Sequence, residues 1–541
     1  MIKKKSAEYV HHILQNKKTA YFLLTILMLL QLLVCIYFGM QKQGFHQDEY
    51  YSFFSSNRSL GLYEPDRQWQ TARTIRNEFV VLPGEGFRYG LVAQVQSWDV
   101  HPPLFYDLLH TMCSIFTGEF SKWLGIAVNM IAFVLCFWIL QALLARLGAG
   151  PPLQLLICGI WGFHPMTISC VMFIRMYMWL TVFVFLCAFL HVRMMQEARQ
   201  MERPGGISFY IRFLIPIMIC SYLGFLTQYY YLIFFFFIGV FYTCWTLVTE
   251  GLHEQQMRSA FLHAGIYVGA CAASLLLAVL SYPASVSHIF RGYRGKEAAS
   301  EFVSAANIGQ RIGFFLGLLN QDVFEGCFYF LIVLLLIGFV LYRISVRAEL
   351  KMLLFAATGY FLIVAKTALL LGNTSNRYQM PVYGLILLLT ILAAKTVVLH
   401  GRKYRRAAAL LLILMAFLLE AKGLFVDRNV LFLYPEDAQR IVYAKENSDI
   451  HVIIMYHDQT PDNVWRLTDE LLEYPQMYFM SEANKAPVTD QTIVSARKLL
   501  VYAADYDTQK ESLQGILDSN PNLTGYDVIS KKDMWTLYEF H

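Results

Sequence analysis

The chain has 541 residues, of which 57% are hydrophobic and only 15% charged, and its formal net charge is +5. Apolar runs of roughly 20 residues recur, the length a helix needs to cross a hydrocarbon core of about 30 Å, and they show no strand-like alternation. A β-barrel is thereby excluded and an all-α polytopic membrane bundle is predicted, because only helices or closed barrels satisfy their backbone in lipid. The charge divides unevenly. From Asp427 onward ten Lys and Arg stand against nineteen Asp and Glu, a net of −9, so the preceding part carries +14. That basic excess sits in short loops, as the positive-inside rule expects, and no nucleic acid is needed to explain it. All ten cysteines lie at or before Cys327 without a CxxC pattern, and they read as small buried hydrophobes.

In chain order, the first apolar run (21–40) follows Lys3, Lys4, Lys5, Lys17 and Lys18. It is too long for a signal peptide and lacks a small-residue cleavage site, so it reads as a retained span with a cytoplasmic N-terminus. Residues 41–121 form the first extracytoplasmic loop, with juxtamembrane helices. It opens with Phe45-His46-Gln47-Asp48-Glu49-Tyr50-Tyr51. Adjacent acids beside a membrane need a use or a partner, since desolvating a carboxylate costs several kcal/mol. Neighbouring residues on a helix point about 100° apart, so only one of Asp48 and Glu49 can face a given reacting atom. Such a carboxylate can serve as general base or anchor a metal. The plain alternative is a solvated helix N-terminus, where acids favour the dipole. Further on stands Trp98-Asp99-Val100-His101-Pro102-Pro103-Leu104. Its prolines fix an extended entry and then start a helix, holding His101 with Asp99 near enough to orient it; a turn histidine with no partner is the competing reading.

Spans are predicted near 21–40, 123–145, 153–172, 174–192, 213–229, 230–248, 261–280, 327–343, 351–371, 380–398 and 407–425. Segment 104–118, which contains Asp107 and His110, reads as a surface helix, and 305–320 is left uncrossed; if both crossed, the count would rise from 11 to 13. Arg146, Arg193, Arg199, Arg203, Arg212, Arg343, Arg347, Lys351, Arg402, Lys403, Arg405 and Arg406 then face the cytoplasm. Arg175, Arg291, Arg294 and Arg377 fall on the other side, against the positive-inside pattern, and ask for an anion such as a phosphate; contact with lipid headgroups is the alternative. Tyr177 and Tyr229 each cap an extracytoplasmic turn. The chain divides into a membrane domain (1–425) and an extracytoplasmic α/β domain (426–541). In the latter 450–456, 498–502 and 535–540 read as strands, and 435–446 and 508–518 as helices.

Five motifs in order (Asp48-Glu49, His101-Pro102-Pro103-Leu104, Arg175-x-Tyr177, Leu226-Thr227-Gln228-Tyr229-Tyr230 and Arg377-Tyr378-x-x-Pro381) resemble the GT-C superfamily of membrane glycosyltransferases. The nearest branch includes the aminoarabinose transferases of lipid A and the protein O-mannosyltransferases. The likeness covers roughly residues 20–400 and implies transfer of a sugar from a polyprenyl-phosphate donor, usually with inversion. The family's catalytic acid matches Asp48, which would deprotonate the acceptor hydroxyl, with Glu49 positioning acceptor or sugar. Arg175, Arg291 and Arg377 would neutralise the leaving phosphate, and His46, His101, Tyr177, Tyr229, His288 and Tyr378 join them as substrate-binding candidates. Many relatives carry a second acid where this chain has Arg175-Met176-Tyr177-Met178-Trp179, so catalysis without a metal or other cofactor is expected. The acceptor stays open among glycolipid, wall polymer and protein hydroxyl. A transporter or flippase of a lipid-linked saccharide is the alternative.

Overall fold

The computed structural model describes residues 17–58, 65–200, 207–304, 306–401 and 405–541. Lys3, Lys4, Lys5, Arg203, Arg402 and Lys403, assigned above to the cytoplasmic side, lie outside the described residues, as do the side chains of Arg405 and Arg406. The chain divides into two compact units. A helical unit comprises Met1–Gly39, Gln96–Phe105 and Gly125–Leu431; a β-containing unit comprises Met40–Val95, Tyr106–Leu124 and Phe432–His541.

Among the described residues, 9 helices are long and apolar enough to cross a membrane, or up to 11 if each of two bent pairs is one span. This is a multi-pass membrane protein. The predicted span 153–172 is one of the bent pairs, Pro151–Phe163 and Pro165–Met172, turned by 53°. Proline suits a first helical turn because it has no N–H to leave unpaired. His164 seals the break: its Nδ1 accepts from the Met166 N–H at 3.1 Å, and its Nε2–H donates to the Val323 carbonyl at 3.0 Å. The helix Phe328–Leu341 is a shorter apolar helix at the predicted span 327–343. Helices fit tightly where glycine allows it: a Cβ on Gly384 would stand 2.5 Å from Phe185 and 2.8 Å from Trp161. Leu104–Ile115 has 12 residues, a rise of about 18 Å against a core of about 30 Å, so it is too short to cross.

The β-containing unit is organised by a six-stranded sheet of order β1-β3-β2-β4-β6-β5. In chain order the strands are β1 Gln68–Thr71, β2 His451–Tyr456, β3 Gln476–Ser481, β4 Leu499–Ala504, β5 Tyr526–Lys532 and β6 Trp535–Phe540. The central strands β3, β2 and β4 run parallel; β1 joins β3, and β6 joins β4, antiparallel. Parallel strands are covered on both faces and so read as continuous apolar runs. Val452 and Ile454 enter one core with Ala444 of the helix Asp437–Glu446, whereas Ile453 and Met455 enter the other with Leu513 and Ile516 of the helix Gln509–Ser519. The predicted strands 450–456, 498–502 and 535–540 are β2, β4 and β6. Sequence gave no warning of β1, which reaches this sheet from the first long loop.

Candidate functional site

The acid pair belongs to the β-containing unit, at the start of the helix Gln47–Asn57. His46 caps that helix: its Nδ1 accepts the Asp48 N–H at 3.0 Å, while Glu49 Oε2 accepts the His46 N–H at 2.6 Å. This reciprocal box satisfies two donors that a helix start leaves open. Glu49 is 0% exposed and takes a 2.9 Å ion pair from Lys42, itself 0% exposed. Lys42 also donates to the Phe432 carbonyl at 2.6 Å, and the rings of Phe45 and Tyr434 each lie 5.5 Å from its ammonium. Burial pushes the Lys42 ammonium below its usual range, and Glu49 pulls it part of the way back.

The two adjacent acids therefore have different surroundings. Asp48 keeps 32% of its side chain exposed, with Oδ2 3.7 Å from His46 Nδ1. Glu49 has none exposed and is engaged by a backbone N–H and an ammonium. At the next residue, Tyr50 donates to Asp469 at 2.9 Å, and burial holds the Asp469 carboxyl up at about 6. Beside this pair, Asp437 is gripped by Arg466 at 2.8 Å and Lys532 at 3.2 Å. Gly44 passes so close that a Cβ there would lie 2.1 Å from Asp437 Oδ2.

The helical unit holds the second group. His101 Nδ1 lies 2.9 Å from Asp99 Oδ2, and Arg175 Nη2 lies 3.2 Å from His101 Nε2. Guanidinium can only donate, so Nε2 is the acceptor and Nδ1 carries the proton toward Asp99. Burial alone would raise the Asp99 carboxyl; His101 and then Arg175 outweigh it and hold the acid below its usual range. Arg175 is 4% exposed, where the helix Tyr177–Gln200 begins. Tyr229 is hydrogen-bonded to His288 Nδ1 at 2.9 Å, and His288 Nε2–H donates to the Ser97 carbonyl at 3.2 Å.

Arg377, also 4% exposed, sits at the end of the 3₁₀ turn Gly372–Tyr378. It donates to the Tyr378 hydroxyl at 3.1 Å and lies over the rings of Phe173 and Tyr378 at 5.5 and 5.0 Å. Tyr177 stacks on Phe173 and meets Tyr378 edge-on at 5.9 Å. Arg175, Tyr177, Arg377 and Tyr378 thus belong to one unit of structure. Arg291 is exposed at the end of Ala284–Phe290, and Arg294 pairs with Glu297 at 2.8 Å.

Sequence reasoning passed over Arg311. It is buried in the helix Ile308–Leu318, 3.3 Å from Glu301 and bonded to the Ala368 carbonyl, while Lys366 bonds Asn307. It also passed over Lys42, a lysine just beyond the helix Lys17–Gln41. Among the described residues no group of three or more His, Cys, Asp and Glu side chains could hold a metal ion.

No protein-family model and no curated protein sequence matches the chain. Solved structures do. The crystal structure of ArnT from Cupriavidus metallidurans bound to undecaprenyl phosphate aligns over 95% of this chain and 97% of its own, at 12% identity and a TM-score of 0.52. The chain shares the fold of ArnT. The archaeal oligosaccharyltransferase AglB from Archaeoglobus fulgidus, in complex with an inhibitory peptide and a dolichol-phosphate, aligns over 96% of this chain and 74% of its own, at 10% identity and a TM-score of 0.43. At such identities the ArnT likeness is one of fold.

Proposed function

We propose that the protein is a glycosyltransferase that moves a sugar from a polyprenyl-phosphate donor to an acceptor hydroxyl on the outer face of the membrane. Asp48 takes the proton of the acceptor hydroxyl; the freed oxygen attacks the anomeric carbon. The bond from that carbon to the phosphate oxygen breaks, and polyprenyl phosphate leaves with the electron pair. In-line attack inverts the anomeric centre. Arg175 and Arg377 offset the charge that develops on the leaving phosphate, a stabilisation that is often the largest catalytic term. His101, Tyr177 and Tyr378 position the donor, and Arg291, His46, Tyr229 and His288 contribute to substrate binding. The acceptor is a glycolipid, a wall polymer or a protein.

The observation that carries this reading is the unequal treatment of two neighbouring acids. Glu49 is consumed by Lys42 and the helix cap, while Asp48 stays one-third open on a rigid helix start. A general base needs that combination of fixed backbone and accessible carboxylate. The ArnT fold supports the donor class, because that structure holds undecaprenyl phosphate. Two buried arginines, Arg175 and Arg377, the latter over the rings of Phe173 and Tyr378, supply cations for such a phosphate.

The test is sugar transfer in proteoliposomes from labelled polyprenyl-phosphate monosaccharides, with a membrane extract as acceptor. Wild type should transfer label or slowly hydrolyse the donor, and Asp48→Asn should bind donor without turnover. Label that crosses the bilayer with its bond intact, equally in both proteins, would replace the transferase with a flippase.

A further inference from the structure

In the helical unit, an open groove of about 640 Å³ runs between the helices Pro151–Phe163, Phe328–Leu341, Met380–His400 and Arg405–Ala421. That volume falls within the roughly 300–1,000 Å³ typical of small-molecule sites. Its walls are almost wholly aliphatic, with Leu156, Ile160, Leu334 and Leu412 among them. One wall extends from Ala409 to Glu420, a rise of about 16 Å at 1.5 Å per residue. This is close to the depth of one leaflet, half of a core of about 30 Å. The groove is therefore long enough for the acyl chains of a lipid lying in one leaflet and much too short for a polyprenyl tail.

Lys395 also lines the groove, but the end beside Asp427 is acidic. Glu420 and Glu325 line it at the end of the span that leads toward Asp427. Glu420 Oε2 is shielded from solvent and finds no hydrogen-bond partner among the described residues. Glu325 accepts from Asn429 at 3.2 Å and lies 3.5 Å from Lys422, and Lys422 also pairs with Asp427. One ammonium thus serves two carboxylates while a third, Glu420, is left over. His164 adds no cation here, since both ring nitrogens are occupied by backbone groups. A carboxylate at the edge of an apolar groove is costly unless a cation meets it. A cation that reaches this place must come attached to an apolar body.

We propose that the groove binds a phospholipid with a primary ammonium headgroup, of the phosphatidylethanolamine type. Its acyl chains cover the aliphatic walls, its ammonium meets Glu420, and its phosphate lies toward the half-exposed Lys422. A headgroup without a cation, such as phosphatidylglycerol, would meet Glu420 with nothing to offer. The site is independent of the transferase reading.

The test uses the full chain, stripped of lipid in detergent and offered equal amounts of phosphatidylethanolamine and phosphatidylglycerol, with retained adducts counted by native mass spectrometry. Wild type should hold one phosphatidylethanolamine with about a tenfold preference, the size of one charge-assisted hydrogen bond. Glu420→Gln keeps the shape, removes the charge and should erase the preference. Ala416→Trp fills the groove and should remove that one adduct. Equal retention of the two lipids by wild type overturns the proposal without reference to any variant, and so does a preference that survives in Glu420→Gln.

Discussion

Replacing Lys42 by Met tests the idea that Glu49 serves the fold of the helix start. In the native chain the Lys42 ammonium holds Glu49 at 2.9 Å and the Phe432 carbonyl at 2.6 Å, in a site with no exposure. Methionine fills similar volume but takes the ammonium away from a buried carboxylate that still accepts the His46 N–H. Removing one partner of a buried pair costs about 3–5 kcal/mol. The carboxylate has an escape, which is to take up a proton. From an ordinary carboxylate pKa of about 4.3, protonation at pH 7 costs about 3.7 kcal/mol, and at pH 5 only about 1 kcal/mol. The loss in Lys42→Met should therefore be about 3–4 kcal/mol at pH 7 and much smaller at pH 5. For a unit of this size that is a fall of roughly 6–15 °C in Tm at neutral pH, readable by intrinsic fluorescence on the whole purified chain. Lys42→Met with Glu49→Leu should recover most of it, since the orphaned charge is gone. A Lys42→Met shift below about 1 °C, or one of equal size at both pH values, would refute this account of the pair.

Three further outcomes follow from the same geometry. Gly44→Ala should cost about 1–3 kcal/mol by overpacking, because its Cβ meets an Asp437 that Arg466 and Lys532 prevent from moving; a wild-type melting curve would contradict this. Burial holds the Asp107 carboxyl up at about 7, so its contribution to stability is present below an ordinary carboxylate pKa of about 3.9 and is lost as pH rises through about 7. Asp107→Asn should accordingly leave Tm unchanged near pH 4 and raise it at pH 8, and an equal effect at both would count against that assignment. Arg377→Ala should weaken binding of a polyprenyl-phosphate sugar by about ten- to a hundredfold, as expected for one lost charged hydrogen bond; unchanged affinity in a direct binding assay would remove Arg377 from the donor site.

The helical part of the fold was legible because a membrane span is a local property: roughly twenty apolar residues identify it whatever it later touches. The break at His164 was not, since Phe163-His164-Pro165 lies inside an unbroken apolar run, and the histidine's second partner, Val323, is far away in sequence. The strands β2 and β4 were visible as apolar runs buried on both faces. By contrast β1, Gln68–Thr71, is short and polar, and only its pairing with β3 makes it a strand. At the site, Asp99 beside His101 was readable because the pair is two residues apart. Arg175 on the far ring nitrogen was proposed only as a phosphate ligand, because a contact across 74 positions leaves no mark on spacing. Glu49 is the sharpest case: next to Asp48 it reads as chemistry, and its contacts with Lys42 and the His46 N–H, which hold the helix start, leave no mark on spacing.

The same contacts assign a first duty to the segment after Leu431. Phe432 gives its carbonyl to Lys42, Tyr434 lays its ring near that ammonium, Asp469 takes the Tyr50 hydroxyl, and β3 pairs with β1. Each of these partners, from Lys42 to β1, belongs to the first long loop, and two of them flank Asp48 within seven residues along the chain. Were the C-terminal segment a module appended for binding an acceptor, its removal would leave the helix Gln47–Asn57 intact. The buried Lys42 would instead lose its carbonyl, Tyr50 its acid, and β1 the strand it pairs with, each an unsatisfied polar group of about 1–3 kcal/mol. Those losses together approach the 5–15 kcal/mol that stabilises a typical domain. The loop that carries Asp48 and the C-terminal segment are consequently one folding unit, and a chain ending at Leu431 should lose the ordered helix start along with the sheet.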